Sequence, residues 1–451
     1  MSVALAQDDA GQGDAQGLRT LWTAPVNASP GFSNRDESPL AAFAPGSVPV
    51  AICNEKFVDI RNPRSGARIR RVGPHPYTTL SVVWSPDSKL LAVTMLSETF
   101  GYGGQPPEIK PEWRDQSEVY LWRVADGEQH ARCRGHHMQV VGSQFSPDSR
   151  RLLTFGIDDA MRLWDTGGGE QTVLETFVRG GSIMAGPARW GAFSGHPVRL
   201  ITSQWSSVLN RDPITGRADW QQRTSGQQSP FAVFGSNVIV CSQDLLEFAA
   251  RAHEPAKRFE AQKTGAAQEH RPLRQSAVAS SGAFLMLAQI RADGLFSQLP
   301  GSTMSGWKVL DDDYDYSYGM PVFSPDGSWL FAQRWNGKDR FELTLWDTSE
   351  WKLRHVHFSE KRRTGPFIGP AGGRAIFTSD SRYLSFAPDL YWETSTGDWK
   401  APPQQIPAER WGFSGDGCFM LTLVNNGRDG TVSMYDFESI EPKLTATTKR
   451  P

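Results

Sequence analysis

The stretch Gly135–Asp165, GHHMQVVGSQFSPDSRRLLTFGIDDAMRLWD, decides how the chain is read. It opens on Gly135-His136 and closes on Trp164-Asp165. Val140 to Ser146 reads as a strand. Ser146-Pro147-Asp148-Ser149 follows as a turn, because Pro147 presets φ and the short side chains of Asp148 and Ser149 bond to their own backbone. Arg151 to Phe155 and Ala160 to Asp165 are the next two strands, and Thr172 to Val178 is a fourth. Asp158 stands six residues before Trp164.

A GH start, an FSPDS turn, an Asp at that distance and a WD end together resemble one full unit of the WD-repeat β-propeller family. The resemblance implies an all-β fold: a single closed β-propeller of four-stranded antiparallel blades, with strands a to d running outward from a central channel. It also implies a structural tetrad, in which His136, Thr154, Asp158 and Trp164 form one buried hydrogen-bond chain. A buried His or Asp without partners costs several kcal/mol, so the four make sense only together. His136 is accordingly read as structural and not catalytic.

Further units are marked by the turn after strand a. Phe43-Ala44-Pro45-Gly46 marks the first, with Val48 to Cys53 and Phe57 to Arg61 as its next strands. Trp84-Ser85-Pro86-Asp87-Ser88 marks the second, which ends at Leu121-Trp122. His75 stands nine residues before Trp84, the offset of His136 from Phe145. Phe145 marks the third unit and Phe193 a degenerate fourth, with Asn210-Arg211-Asp212 in its WD region. Phe234-Gly235-Ser236 opens the fifth, Ala277 to Ser281 a faint sixth, Phe323 the seventh, Phe377 the eighth and Phe413 the ninth. The marker intervals run from 36 to 61 residues, around the period of about 40–45 expected for the family. Nine units counted this way give eight or nine blades over residues 18–448. Residues 18 to 26 form a spare strand, expected to complete the last blade and leave no bare sheet edge.

Composition narrows the function classes. Forty-seven basic and 49 acidic residues give a net charge of −2, which argues against a protein that coats nucleic acid. The four cysteines, Cys53, Cys133, Cys241 and Cys418, show no CxxC spacing, so neither a disulfide framework nor a zinc site is expected. No apolar run is long enough for a transmembrane helix. Ala4-Leu5-Ala6 resembles a signal-peptide cleavage site, yet the charged and apolar regions that should precede it are missing. The expectation is a cytoplasmic protein with a disordered tail over residues 1–17; an exported protein with a truncated start is the alternative.

The resemblance places the d–a and b–c loops on one face, where partners of the family dock. Ser97 to Ser117 is an insertion in the second b–c loop that carries Phe100, Tyr102 and Trp113 among Gly and Pro. It reads either as a binding anchor or as a lid on its own blade. Asp311, Asp312, Asp313, Tyr314 and Tyr316 crowd the acidic run DDDYDYSY, which suits a basic partner but lacks the DxDxDG spacing of a Ca²⁺ loop. Arg362 and Arg363 lie before the eighth unit, and Arg258 to Arg274 is a long polar connection. The basic and acidic loops also have a plain reading, as a pair facing each other.

Enzyme signatures are missing: there is no GxSxG, HExxH or P-loop. Candidate channel-mouth groups are His75, His136 and His196, of which the tetrad explains the first two; His253 and His270 are scattered, and His355 and His357 alternate on one strand without a third ligand. The expectation is a non-catalytic protein-interaction scaffold or adaptor, with no cofactor, no metal, no nucleic acid and no membrane. It would be a monomeric propeller within a complex of protein partners. The alternative is a propeller enzyme or small-ligand binder at the channel mouth. The tetrad makes one direct prediction. Trp164→Ala, the loss of a large buried aromatic, is expected to destabilise the fold by about 3–5 kcal/mol; a thermal melt left unchanged would contradict the assignment.

Overall fold

The computed structural model describes residues 19–27, 40–46, 48–97, 111–158, 160–176, 191–194, 198–204, 207–223, 231–242, 284–289, 308–311, 317–335, 341–358, 375–408, 410–425 and 429–447. Its secondary structure is almost all strand. In chain order, β1 (Thr20–Asn27) stands apart from the strands that follow it. The first sheet is β2 (Ala41–Phe43), β3 (Val50–Asn54), β4 (Phe57–Arg61) and β5 (Arg68–Val72). The second is β6 (Thr79–Trp84) and β7 (Leu90–Met95), then, after the short helix α1 (Pro111–Gln116), β8 (Val119–Arg123) and β9 (Gln129–Cys133). The third is β10 (Val140–Phe145), β11 (Arg151–Gly156), β12 (Ala160–Asp165) and β13 (Gln171–Thr176). The fourth is β14 (Gly191–Phe193), β15 (Leu200–Gln204), β16 (Ser207–Arg211) and β17 (Ala218–Arg223).

The fifth sheet is β18 (Phe231–Phe234), β19 (Asn237–Ser242), β20 (Phe284–Gln289) and β21 (Lys308–Asp311). The sixth is β22 (Ser317–Phe323), β23 (Trp329–Trp335), β24 (Phe341–Asp347) and β25 (Lys352–Phe358). The seventh is β26 (Ile376–Phe377), β27 (Tyr383–Ala387), β28 (Leu390–Glu393) and β29 (Trp399–Ala401). The eighth contains β30 (Arg410–Phe413), β31 (Phe419–Asn425) and β32 (Asp429–Asp436). The chain then makes a helical turn, α2 (Phe437–Ile440), and a 3₁₀ turn. It ends its described part in β33 (Thr445–Ala446), which adds a fifth strand to the seventh sheet. Neighbouring strands are antiparallel throughout, and the described residues make eight sheets.

The expected count of nine units fails at one place. β19 pairs directly with β20, Asn237 opposite Gln289 and Ser242 opposite Phe284. The fifth and sixth units are therefore one sheet, and residues 243–283 lie between its second and third strands. Ala277 to Ser281 reads in sequence like a turn after strand a, but the next described strand, β20, is the third of the sheet already begun.

The spare N-terminal strand pairs with the last one. β1 runs antiparallel to β32, Trp22 opposite Met434 and Asn27 opposite Asp429. It also touches the first sheet. Trp22 Nε1 donates to the Pro63 carbonyl at 2.7 Å, and a Cβ on Gly66 would lie 2.7 Å from Trp22 Cγ. The expected disordered tail, residues 1–17, lies outside the described residues.

Each sheet packs its faces on its neighbours, which explains why strands b and c read as apolar runs instead of alternating. Leu152, Leu153, Phe155, Leu163 and Trp164 are all buried. One cluster joins the first sheet to the second and to the eighth through Val50, Ile52, Val82, Trp84, Leu421 and Val432. Leu121 and Val140 bridge the second and third sheets. Phe155 and Phe193 bridge the third and fourth, Leu345 and Leu384 the sixth and seventh, and Tyr391 and Met420 the seventh and eighth. β14 meets β18, and β18 meets β22, at the two remaining junctions.

The a–b turns repeat one hydrogen-bond device. Ser146 Oγ donates to Asp148 Oδ1 at 2.6 Å, and Arg150 N donates to the same carboxylate. Ser85 with Asp87, Ser324 with Asp326, Thr378 with Asp380 and Ser414 with Asp416 do the same. The residue after the Asp is left-handed: Ser149 has φ 62° and Gly417 has φ 75°. These turns also tie neighbouring sheets together, since Asp87 N donates to Ser149 Oγ and Asp326 N to Ser381 Oγ.

Candidate functional site

The third sheet brings His136, Thr154, Asp158 and Trp164 together. His136 lies just before β10, Thr154 on β11, Asp158 in the β11–β12 turn and Trp164 on β12. Trp164 Nε1 donates to Thr154 Oγ1 at 2.8 Å. Thr154 Oγ1 lies 2.8 Å from His136 Nε2, and His136 Nδ1 lies 2.9 Å from Asp158 Oδ1. An ionised carboxylate only accepts, so Nδ1 carries the proton. Nε2 then accepts from the Thr154 hydroxyl, which accepts from the indole. Every proton in the chain has one place.

Two glycines make room for it. A Cβ on Gly156 would lie 2.2 Å from Asp158 Oδ1 and 2.5 Å from His136 Nδ1. A Cβ on Gly135 would lie 3.1 Å from Trp164 Cη2. Arg162 approaches the other Asp158 oxygen at 3.4 Å. Burial pushes the Asp158 carboxyl up, but His136, with Arg162 and His137 beside it, holds it below the usual carboxylate range. Both His136 nitrogens are occupied, so this histidine is neither a free base nor a free ligand.

The other sheets keep the position of Trp164 and change its partner. In the second, Leu91 pairs with Trp122 as Leu152 pairs with Trp164, and Val93 takes the place of Thr154. Valine cannot relay a proton. Trp122 Nε1 therefore donates directly to His75 Nε2 at 2.9 Å, while His75 Nδ1 donates to the Lys56 carbonyl. In the fourth sheet Arg211 holds the tryptophan's register opposite Leu200, and its Nε donates to Thr202 Oγ1 at 3.1 Å. In the sixth, Trp346 Nε1 donates to Thr344 on its own strand. In the eighth, Tyr435 stands opposite Met420, and among the described residues Thr422 Oγ1 finds no partner.

The base of the Ser97–Ser117 insertion is held by the third sheet. Ser97 N donates to Gln139 Oε1 at 2.6 Å, and Ser97 Oγ donates to Gln116 Oε1 at 3.2 Å. Gln139 Nε2 donates to the carbonyls of Met95 and Val140. Ser97, Gln116, Ser117 and Gln139 are all buried. Gln139 was not a sequence candidate. A Gln between Met138 and Val140, three residues after His136, is the signal that could have found it.

The other partner-binding candidates are not assembled by the described residues. Trp113 lies on α1, and its side chain is outside what is described. Asp311, expected in a loop, instead closes β21 opposite Leu285, because the strand's ladder extends through it. Phe100, Tyr102, Asp312, Asp313, Tyr314, Tyr316, Arg362 and Arg363 lie outside the described residues, as do His196, His253, His270 and the Arg258 to Arg274 connection. His355 stacks on Trp329, and His357 packs on Trp392 and Trp399. Among the described residues no group of three or more His, Cys, Asp or Glu gathers as a metal would require. No helix there is long and apolar enough to cross a membrane.

His75 gives the site a measurable pH dependence. Burial depresses it from the ordinary value of 6.5 to about 4. The folded state therefore resists a proton that the unfolded state accepts, and the stabilisation present above pH 6.5 is lost as pH falls toward 4. The loss attributable to this residue is roughly 3 kcal/mol at about 1.4 kcal/mol per unit. Denaturant titrations of the native protein and His75→Leu at pH 7, 5.5 and 4.5 should show a shallower slope in the variant. Equal slopes would contradict the burial of a neutral His75.

Sequence comparison matches residues 127–165 to the WD domain, G-beta repeat, a span that runs from the end of the second sheet to Asp165. No curated protein matches the chain. Among solved structures, the chain is similar to the β-propeller domain of Cps50 (Swd1) from Myceliophteria thermophila. That likeness has 11% identity, covers 88% of this chain and 95% of the other, and has a TM-score of 0.42. The family match and the tetrad geometry thus place one WD repeat at residues 127–165, and the register of its tryptophan recurs in the second sheet.

Proposed function

We propose that the chain is a non-catalytic protein-interaction scaffold or adaptor of the cytoplasm. Its eight sheets serve as the blades of one ring over residues 18–448, closed where β1 joins β32. Partners dock on the face reached by the b–c and d–a connections, through Phe100, Tyr102 and Trp113 of the insertion, the Asp311–Tyr316 run, and Arg362 and Arg363.

The observation that carries this reading is the clamp at the base of the insertion. Gln139 binds Ser97 N and two backbone carbonyls, and Gln116 closes the other end through Ser97. Exposed aromatic residues make economical anchors when their backbone is held beforehand, since less ordering is left to the moment of binding. Gln139 lies just before β10, so the base of the insertion is held from the neighbouring unit, which favours a binding anchor over a lid. His75 and His136, in the connections before β6 and β10, have both ring nitrogens bonded. That speaks for a docking platform over chemistry at the same place.

Affinity purification from the native organism tests the proposal. The intact protein is compared with one whose Ser97–Ser117 insertion is shortened and whose Asp311, Asp312 and Asp313 are changed to Asn. A protein partner captured by the first and lost by the second is the expected outcome. If neither captures a partner while both keep the same melting temperature, the scaffold reading is wrong.

A further inference from the structure

The outer strand of the first sheet carries positive charge out of proportion to the chain. Residues 54–72 contain Lys56, Arg61, Arg64, Arg68, Arg70 and Arg71 against only Glu55 and Asp59, in a chain of net charge −2. Asp59 is buried and lies 2.6 Å from Arg71 Nε, 3.2 Å from Arg61 and 3.8 Å from Arg68. One carboxylate thus answers three guanidinium groups. Burial pushes Asp59 up, but hydrogen bonds and charge from Arg71 and Arg61 keep it below the usual range and ionised.

The guanidinium groups are also held in place. Arg71 lies 4.8 Å over the Phe57 ring and Arg64 5.3 Å over the Phe419 ring, contacts that fix a planar cation at little entropic cost on binding. Arg68 and Arg71 keep 50% and 36% of their side chains in solvent. Ile69 between them, the extra residue of a bulge against β4, is 54% exposed.

Charge on an edge strand commonly guards against aggregation. Two other outer strands carry less of this surplus. Arg132 and Arg134 beside β9 share Glu118, and Arg354 on β25 has both Asp347 and Glu350. β5 and the turn before it combine Arg64, Arg68, Arg70 and Arg71 with an outer edge that carries no further strand among the described residues.

We propose that the β5 edge is a second docking surface, for an extended acidic segment of a partner protein. The segment lies along β5, sets carboxylates against Arg64, Arg68 and Arg71, and covers Ile69. A short acidic strand fits better than nucleic acid. A long polyanion would also meet the turn that accepts Arg70 at the Asp126 carbonyl, where Asp126 and Glu128 set two carboxylates against the one guanidinium of Arg123. This surface lies on the outer rim and does not depend on the loop-bearing face.

The test uses the full chain and a fluorescein-labelled ten-residue peptide that alternates Glu and Val. Fluorescence anisotropy should show binding that weakens as salt is raised, falls at least tenfold in Arg64→Gln/Arg68→Gln, and is lost with the Gln-for-Glu peptide. Both arginines are exposed, and matching thermal melts of variant and native protein establish that the fold is kept. Should the variant melt early, salt dependence together with peptide-induced protection of the β5 amides from hydrogen exchange decides the matter in the native protein. No binding of the acidic peptide, or equal binding by the variant, would overturn the proposal. Tighter binding of a single-stranded thymidine decamer than of the peptide would overturn the choice of a polypeptide.

Discussion

A four-stranded sheet of this size has two apolar faces and cannot cover either by itself. Everything else in the molecule depends on one constraint: each face must meet another sheet. The described core obeys it at six junctions, from Val50 and Trp84 between the first and second sheets to Tyr391 and Met420 between the seventh and eighth. The same requirement explains β1. It comes first in the chain but pairs with β32, and its Trp22 reaches across to the Pro63 carbonyl of the first sheet. The two ends of the chain are joined by backbone pairing and not only by packing.

Within the sheets, the position of Trp164 is a site where a donor must be satisfied, and several chemistries satisfy it. The third sheet uses a threonine relay to a histidine and a carboxylate. The second drops the relay, because Val93 cannot supply a hydroxyl, and bonds indole to imidazole. The fourth replaces the indole with the Arg211 guanidinium, whose second arm reaches the Gly216 carbonyl. Arg61 in the first sheet donates likewise to the carbonyl of Gly66, and Trp392 in the seventh to that of Gly397. A donor is kept at this register while its identity and its partner drift.

That drift sets the limit of what the sequence discloses. The third unit is legible because all four tetrad residues survive in it, and the seventh and ninth markers because the Ser-Pro-Asp or Ser-Gly-Asp turn is a local signal that needs no partner. The N-terminal strand is legible as a surplus. The fourth unit is faint because Arg211 does not look like a tryptophan, although it bonds like one. The fifth and sixth cannot be merged from the sequence, since the pairing of Val240 with Met286 crosses more than forty residues and leaves no local trace. On the candidate face, aromatic and acidic residues in the loops are easy to pick out. The Gln139 clamp and the space left by Gly156 are not, because both are defined by contacts between residues distant in sequence.

Native-state hydrogen exchange on the β1 and β32 amides tests the central claim most directly, since exchange reports the free energy of opening at each site. If β1 completes the last sheet and ties it to the first, those β1 amides that donate to β32 will exchange as slowly as those of β31. If β1 amides exchange at the rate of an unstructured peptide while β31 stays protected, the chain ends are not joined and the account of the ring is wrong.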